Sequence, residues 1–238
     1  MSSEVAVDVR ELRRVFETGR KAQRRTIEAV NGISFEVGAG ERLAFIGPNG
    51  AGKSTSIKML TGILHPTSGM ASVLGLVPWE DRRSLVRRIG TLFGQRSLLW
   101  EELTPAAAFH MLAAIFGLSG EVERRRVAEL GETLSARELY EQPVRTLSLG
   151  QRMRCELTAC MLHEPEILFL DEPTIGLDLL AKQRFREMLV TLNEEHGTTV
   201  FLTSHDVADI EHVASRAIVV GRSSTRAWPR SWPPCATA

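Results

Sequence analysis

The sequence predicts one large α/β domain built around a parallel β-sheet. Short segments rich in Leu, Ile, Val and Phe recur along the 238-residue chain, at 42–46, 167–170, 199–202 and 217–220. Segments that are apolar on both faces are typical of strands buried in a parallel sheet. The stretch at 180–195 is helical in pattern, and Gly197 lies just past its end as a helix-terminating residue. Alternation of strands and helices indicates an α/β fold.

Two further regions complete the predicted domain, which spans residues 1–221. Apolar residues at 5–9 and 33–37 predict additional strands ahead of the first buried strand. Residues 96–160 contain two helical patterns and no convincing strand, so we interpret them as a helical insertion in the α/β core.

The composition argues against several classes of function. Lys plus Arg and Asp plus Glu each total 29, so the chain lacks the basic field that nucleic acid binding favours. The three cysteines, Cys155, Cys160 and Cys235, have no paired spacing that indicates a disulfide framework or a zinc site. The first ten residues do not resemble a signal peptide. No apolar run approaches the ~20 residues that a membrane helix needs, so transport would require another chain.

A glycine-rich segment after the strand at 42–46 predicts a phosphate-binding loop. Its residues are Gly47, Pro48, Asn49, Gly50, Ala51, Gly52, Lys53, Ser54 and Thr55. The pattern G-x-x-x-x-G-K-S between a strand and a helix is that of the P-loop, in which backbone N–H groups and a helix N-terminus bind phosphates. We expect Lys53 to reach the β- and γ-phosphates, Ser54 to ligate Mg²⁺ and Thr55 to bond near the α-phosphate.

Two carboxylates follow the apolar strand at 167–170. The carboxyl ends of parallel strands face the ligand crevice of an α/β fold. Asp171 is therefore predicted to hold Mg²⁺ through its water shell, and Glu172 to polarise an attacking water as general base. An acidic pair at a strand end is otherwise often a helix cap, but the P-loop favours the catalytic interpretation.

The chain resembles the ATPase domains of ABC transporters. The residues that carry the resemblance are Leu147, Ser148, Leu149, Gly150 and Gln151, which are similar to the signature motif of that family. Phe16 resembles the aromatic that stacks on adenine, Gln95 the Q-loop glutamine, Asp178 the D-loop aspartate and His205 the switch histidine. Leu149 departs from the usual second glycine of the signature, and a basic insertion at 20–25 separates Phe16 from the P-loop.

The resemblance implies a fold, ligands and partners. The fold is a RecA-type P-loop NTPase core with an N-terminal antiparallel β subdomain and an inserted α-helical subdomain. ATP and Mg²⁺ are the implied ligands, with Gln95 joining Ser54 and Asp171 at the metal. Two nucleotide-binding subunits would pack head to tail as a homo- or heterodimer, so that Ser148 and Gly150 of one subunit face ATP held by Lys53 or its equivalent in the other. Separate integral membrane permease subunits would hold this chain at the cytoplasmic face of the cell membrane, and this chain would not bind the transported substrate directly.

Residues 94–100, the signature segment and the basic insertion also resemble bacterial viologen-exporter-like and multidrug-exporter ATPases, which favours export. Two alternatives stay open: a soluble ABC-type ATPase without a membrane partner, and a catalytically silent binding module. A small P-loop kinase would lack the signature segment.

Residues 222–238 depart from the family pattern and are predicted to be an atypical, disordered tail. Pro229, Pro233 and Pro234 are incompatible with a regular helix or a central strand. Our hypothesis is that a reading-frame change or truncation replaced the native ending; a Pro- and Trp-rich docking segment is the alternative.

Overall fold

The protein is described by a computed structural model that covers residues 4–18, 25–94, 97–221 and 225–228. The strands in these ranges are β1 (Val5–Thr18), β2 (Arg25–Gly38), β3 (Arg42–Ile46), β4 (Ser68–Val73), β5 (Ile89–Phe93), β6 (Ile167–Asp171), β7 (Thr199–Thr203), β8 (Arg216–Val220) and β9 (Thr225–Trp228). The α-helices are α1 (Lys53–Leu60), α2 (Arg82–Leu85), α3 (Pro105–Phe116), α4 (Gly120–Thr133), α5 (Leu149–Met161), α6 (Leu179–His196) and α7 (Val207–Val213). Single 3-10 turns lie at Arg137–Leu139 and Val144–Thr146.

The strands form two sheets. Six strands in the order β5-β6-β7-β3-β8-β9 form the central sheet, in which β9 alone runs antiparallel to its neighbour. Three antiparallel strands in the order β2-β1-β4 form the second sheet. This agrees with the predicted parallel α/β core and the predicted N-terminal antiparallel subdomain.

The central strands are buried because side chains on both of their faces pack into apolar clusters. Along β6, Ile167 and Phe169 join the cluster shared with the antiparallel sheet, whereas Leu168 and Leu170 join the cluster formed with the helices. Phe201 on β7 contacts Phe169 with ring centroids 5.4 Å apart. The two-residue period of a strand thus places one apolar cluster on each face of the sheet.

The helical expectations for residues 96–160 agree with the described residues from 97 onward. α3 and α4 lie where the two helical patterns are predicted, and the segment at 147–151 lies at the start of α5. Thr104 and Ser119 cap α3 and α4 by accepting backbone N–H groups, and Gly117 ends α3 in the left-handed conformation with φ 74°. Gly197 ends α6 in the same way with φ 66°, as predicted.

The expectation of a tail without regular structure from residue 222 is wrong for four residues. Thr225–Trp228 pair antiparallel with β8, in a register that places Ala217 opposite Trp228. β9 lies at the edge of the sheet, where a strand needs one row of ladder hydrogen bonds rather than two. The three prolines of the tail lie outside the described residues, as do Arg20, Lys21 and Arg24 of the basic insertion.

None of the helices in the described part of the chain combines the length and apolar character needed to cross a lipid bilayer.

Candidate active site

The glycine-rich loop connects the carboxyl end of β3 to α1 and lines a cleft. The cleft has a volume of about 370 Å³ and is bordered by Pro48 to Thr55, Glu172, Ile175 and His205. It lies where β3, β6 and β7 end, because parallel neighbours bring their carboxyl ends to one edge of the sheet. The structure therefore brings together the loop, the acidic pair and the histidine that lie far apart in the sequence.

Two glycines of the loop are required by backbone that approaches from other strands. A Cβ on Gly47 would collide with the carbonyl oxygen of Val220 at the end of β8. A Cβ on Gly52 would collide with the carbonyl oxygen of Ala29 on β2, and Gly52 also has φ 88°. Gly50 has φ 81° but faces open space, so only its backbone conformation favours glycine.

Lys53 directs its ammonium group back into the loop. Its Nζ donates to the carbonyl oxygen of Gly47 at 2.7 Å and lies 3.4 Å from Glu172 Oε1. The side chain is 7% exposed, so the charge acts in a partly desolvated cleft where electrostatic interactions with an anion are strong. As α1 begins at this residue, its first N–H groups lack helical partners and favour the same anion.

Asp171 is held beside Ser54 by two hydroxyl donors. Ser54 Oγ donates to Asp171 Oδ1 at 3.0 Å, and Thr203 Oγ1 donates to the same oxygen at 2.7 Å. A hydroxyl and a carboxylate oxygen within this distance of each other match the hard oxygen donors that Mg²⁺ prefers. The donor set therefore fits the predicted metal, with Ser54 and Asp171 as the described residues that would hold it.

Glu172 and His205 form the polar contact that faces the loop. Glu172 Oε2 lies 2.8 Å from His205 Nδ1, and the carboxylate is mostly buried while the imidazole is exposed. Glu172 has φ 51°, a left-handed conformation that costs a non-glycine residue roughly 1 kcal/mol or more. Its N–H donates to both the backbone oxygen and Oγ1 of Thr203, which stabilises the strained position from the neighbouring strand β7.

The segment after His205 is anchored by Asp206. Its Oδ1 accepts the N–H of Ala208 at 3.0 Å, which caps α7. Lys182 Nζ lies 2.6 Å from Oδ2, and this hydrogen bond holds the pKa of the Asp206 carboxyl below its usual value. The ionised carboxylate thus fixes the start of α7 next to the histidine.

The predicted signature segment lies at the N-terminus of α5. Ser148 Oγ accepts the N–H of Gln151 at 3.3 Å, and Gln151 Oε1 accepts the N–H of Ser148 at 2.8 Å. This capping box uses the hydroxyl as an acceptor and leaves its O–H free to donate. A second cleft of about 230 Å³, lined by Ser148, Gly150, Gln151 and Asp178, shares no lining residue with the first. The signature segment thus borders a different cleft from the one that the P-loop lines.

Leu149 and Leu147 complete this segment. Leu149 is exposed and reaches Gly176, while Leu147 packs against the helical cluster. Asp178 caps α6 by accepting the N–H of Ala181 at 2.8 Å. Its described role is therefore helix capping at the border of the second cleft, and its D-loop role stays a prediction.

Phe16 is a predicted site residue that does not border the cleft. Phe16 is half-buried on β1, paired with Ile27, and the guanidinium of Arg14 lies 4.6 Å from its ring centroid. Its partner strand β2 approaches the P-loop at Ala29, and the adenine-stacking role of Phe16 stays a prediction. Gln95 lies outside the described residues, and its predicted role at the metal stays a prediction.

Sequence reasoning missed Thr203, which bonds both Asp171 and Glu172. A hydroxyl residue at the end of a buried strand, one position before the Ser204–His205 pair, was the available signal. Ile175, which also borders the cleft, carries no comparable signal because an apolar residue in a turn has no specific chemistry.

Comparison with known proteins agrees with this geometry. The family described as "ABC transporter" matches residues 30–175. The probable multidrug ABC transporter ATP-binding protein YbhF of Escherichia coli is 34% identical over 77% of this chain, and the linearmycin resistance ATP-binding protein LnrL of Bacillus subtilis is 34% identical over 80%. The chain spans 32% and 61% of the lengths of these two relatives.

A solved structure has the same fold. The dimeric structure of MJ0796, a bacterial ABC transporter cassette, superposes with a TM-score of 0.79 at 25% identity, and the match covers 95% of this chain and 99% of that one. The family match covers more than half of the chain and includes the P-loop and the acidic pair. This chain therefore belongs to the ABC transporter family of ATP-binding proteins.

Proposed function

We propose that this chain is the ATP-binding and ATP-hydrolysing subunit of an ABC exporter, and that it powers transport through separate membrane subunits. The observation that carries the proposal is the Glu172–His205 contact of 2.8 Å at the border of the P-loop cleft. A carboxylate, an exposed imidazole and a lysine ammonium around one anion-binding loop form a set of groups suited to phosphoryl transfer to water.

ATP binding begins with the loop and Lys53. Backbone N–H groups of the loop and the N-terminus of α1 bind the phosphates, and the Lys53 ammonium adds a positive charge at the β- and γ-phosphates. Ser54 and Asp171 would hold Mg²⁺, which when bound would neutralise charge on the transferred group. Thr203 orients the Asp171 carboxylate through its 2.7 Å hydrogen bond.

Hydrolysis needs a positioned water and a base. Glu172 accepts the proton from the attacking water, and its position is set by the Thr203 backbone and hydroxyl. His205 contacts Glu172 from the opposite loop and contributes a donor to the γ-phosphate. The protein thus acts mainly by positioning and electrostatic stabilisation, which is what phosphoryl transfer requires.

A second copy completes the site in this proposal. Ser148 and the start of α5 border the second cleft and not the P-loop cleft, which supports their binding phosphate held by another chain. Head-to-tail packing would place them on the γ-phosphate of the partner, and ATP would join the two subunits. Loss of the γ-phosphate then weakens the contact and releases the dimer.

Substitution of Glu172 tests the hydrolytic part of the proposal. Glu172→Gln keeps the size of the side chain but removes the base, so ATP turnover falls by roughly a hundredfold or more while ATP affinity is retained. The measurement is phosphate release with Mg²⁺ and excess ATP. Turnover at the parent rate would exclude Glu172 as the base.

Transport direction needs a separate experiment with the membrane subunits. The names of the two relatives, one a probable multidrug ABC transporter protein and the other a linearmycin resistance protein, support export. In inverted vesicles that contain the complex, ATP on the outside is expected to drive substrate uptake, because the cytoplasmic face of the membrane is exposed. Lys53→Ala is the control. If the rate of ATP hydrolysis does not rise when membrane subunits are added, a soluble ATPase without a membrane partner is favoured instead.

A further inference from the structure

A buried polar cluster lies behind the Glu172–His205 contact. At its centre is Asp209 on α7, which is 1% exposed. Its Oδ2 accepts hydrogen bonds from Thr174 Oγ1 at 2.5 Å and from Ser204 Oγ at 2.8 Å. Both hydroxyl residues are themselves buried, so the two bonds are shielded from water. One carboxylate oxygen thus joins two loops that come from different strands.

The other oxygen of Asp209 is held by Arg186 on α6. Arg186 Nε donates to Asp209 Oδ1 at 2.6 Å, and the guanidinium is 5% exposed. A buried carboxylate needs such a cation, since desolvation of an unpaired charge is strongly unfavourable. The pair also orients the carboxylate, because a charge-assisted bond to one oxygen directs the other towards the two hydroxyls.

The two bonded loops carry the reacting groups of the cleft. Thr174 follows Glu172 by two residues, and Ser204 directly precedes His205. Glu172 has a strained backbone with φ 51°, a conformation that persists only when its surroundings hold it. We propose that Asp209 is a positioning residue that sets the distance between Glu172 and His205 by binding the loop after the first and the loop before the second.

This inference rests on the proposed function, because it assigns Asp209 to the geometry of the same hydrolytic site. Asp209 acts from behind the two loops, through Thr174 and Ser204, and belongs to neither the P-loop nor the residues that would hold Mg²⁺. Its loss should therefore change the rate of the chemical step and leave ATP binding intact.

Thr174→Val is the sharpest substitution because it removes one hydroxyl and keeps the shape of the side chain. The expected result is a kcat for ATP hydrolysis that is lower by roughly ten- to a hundredfold, with KM for ATP within about twofold, because misplacement by about 1 Å has effects of this size. Thr174→Ser, which keeps the hydroxyl, is expected to restore most of the parent kcat. Substitution of Asp209 itself is avoided because it would remove the buried carboxylate to which Arg186 Nε donates, and the loss of that buried partner is destabilising in its own right.

Thr158→Val is the matched control. Thr158 is also a fully buried threonine whose hydroxyl bonds another side chain, Tyr140, but it lies in α5 away from the cleft. The Thr158→Val variant should lose about as much thermal stability as Thr174→Val and keep the parent kcat. Ser204→Ala tests the other loop and should lower kcat in the same way as Thr174→Val.

The outcomes separate this inference from the proposed function. If Glu172→Gln does not reduce turnover, the proposed function fails. If Glu172→Gln abolishes turnover but Thr174→Val keeps the parent kcat, only the positioning role is overturned. The ¹⁵N shifts of the His205 ring decide the same question without turnover: Thr174→Val should shift the Nδ1 signal as its bond to Glu172 is lost, and an unchanged signal contradicts the proposal.

Discussion

Asp171 illustrates how single side chains of the cleft are prepared for their roles. Its Oδ1 already accepts from Ser54 and Thr203, so the carboxylate cannot rotate freely and its orientation is set before a metal binds. Prior ordering of this kind lowers the entropy that ligand binding must remove. The same Thr203 hydroxyl accepts from the N–H of Glu172, which links the metal carboxylate to the base.

Asp171→Asn is predicted to weaken the response of the protein to Mg²⁺. The amide keeps the shape of the side chain but removes its charge, so the Mg²⁺ concentration for half-maximal ATP hydrolysis should rise by roughly ten- to a hundredfold. A titration of Mg²⁺ at fixed ATP measures this. Asp81→Asn, which changes an exposed aspartate at the start of α2, should leave the titration unchanged.

The two described cysteines are predicted to resist alkylation in the folded protein. Burial raises the pKa of the Cys155 thiol to about 12 and raises that of Cys160 as well, so thiolate is scarce at neutral pH. Peptide mapping after iodoacetamide treatment should find both thiols unmodified until denaturant is added. Rapid labelling of either one in native protein at pH 8 would contradict this description of the α5 core.

Among the loops, the P-loop packs closely against backbone from other strands. Gly52→Ala is predicted to lower the free energy of unfolding by about 1–3 kcal/mol more than Gly117→Ala, because the added methyl group meets the Ala29 carbonyl. Both glycines have positive φ, but a Cβ at Gly117 has no atom within 4 Å. Urea unfolding of the two variants gives the comparison, and equal losses would show that the backbone angle alone matters.

The strands and helices differ in how well the sequence predicts them. β3, β6, β7 and β8 are predicted within a residue or two, because apolar runs on both faces are a strong signal. β4 and β5 are missed: β4 is Ser-Gly-Met-Ala-Ser-Val and β5 contains a glycine, so neither shows clear alternation. β1 and β2 extend well past the predicted 5–9 and 33–37, since long antiparallel pairing with register shifts leaves an irregular pattern.

The parts of the candidate site differ in the signal that predicts them. The P-loop and the acidic pair follow from specific sequence patterns, whereas His205 is predicted only through the resemblance to ABC ATPases. Thr203, Thr174 and Asp209 are not predicted, because their importance arises only when β6 and β7 lie side by side and α7 packs behind them. No spacing in the sequence encodes a contact between residues 35 positions apart.

For the complete assembly, Ser148 and Ser119 offer a matched pair of helix caps. Each accepts a backbone N–H at 3.3 Å, so replacement of either by alanine should lower the free energy of unfolding by about 1 kcal/mol. Only Ser148→Ala is predicted to reduce ATP turnover, since only Ser148 is proposed to meet the γ-phosphate of a second copy. Equal turnover in the two variants would assign Ser148 to capping alone.

The state of association of Glu172→Gln with ATP and Mg²⁺ is the decisive measurement for the proposed ATP-bound dimer. Sedimentation velocity is expected to show a dimer with one ATP retained per chain, which dissociates with ADP or after the added change Ser148→Ala. A Glu172→Gln protein that stays monomeric at saturating ATP, while the parent chain hydrolyses ATP, would contradict the proposed dimer.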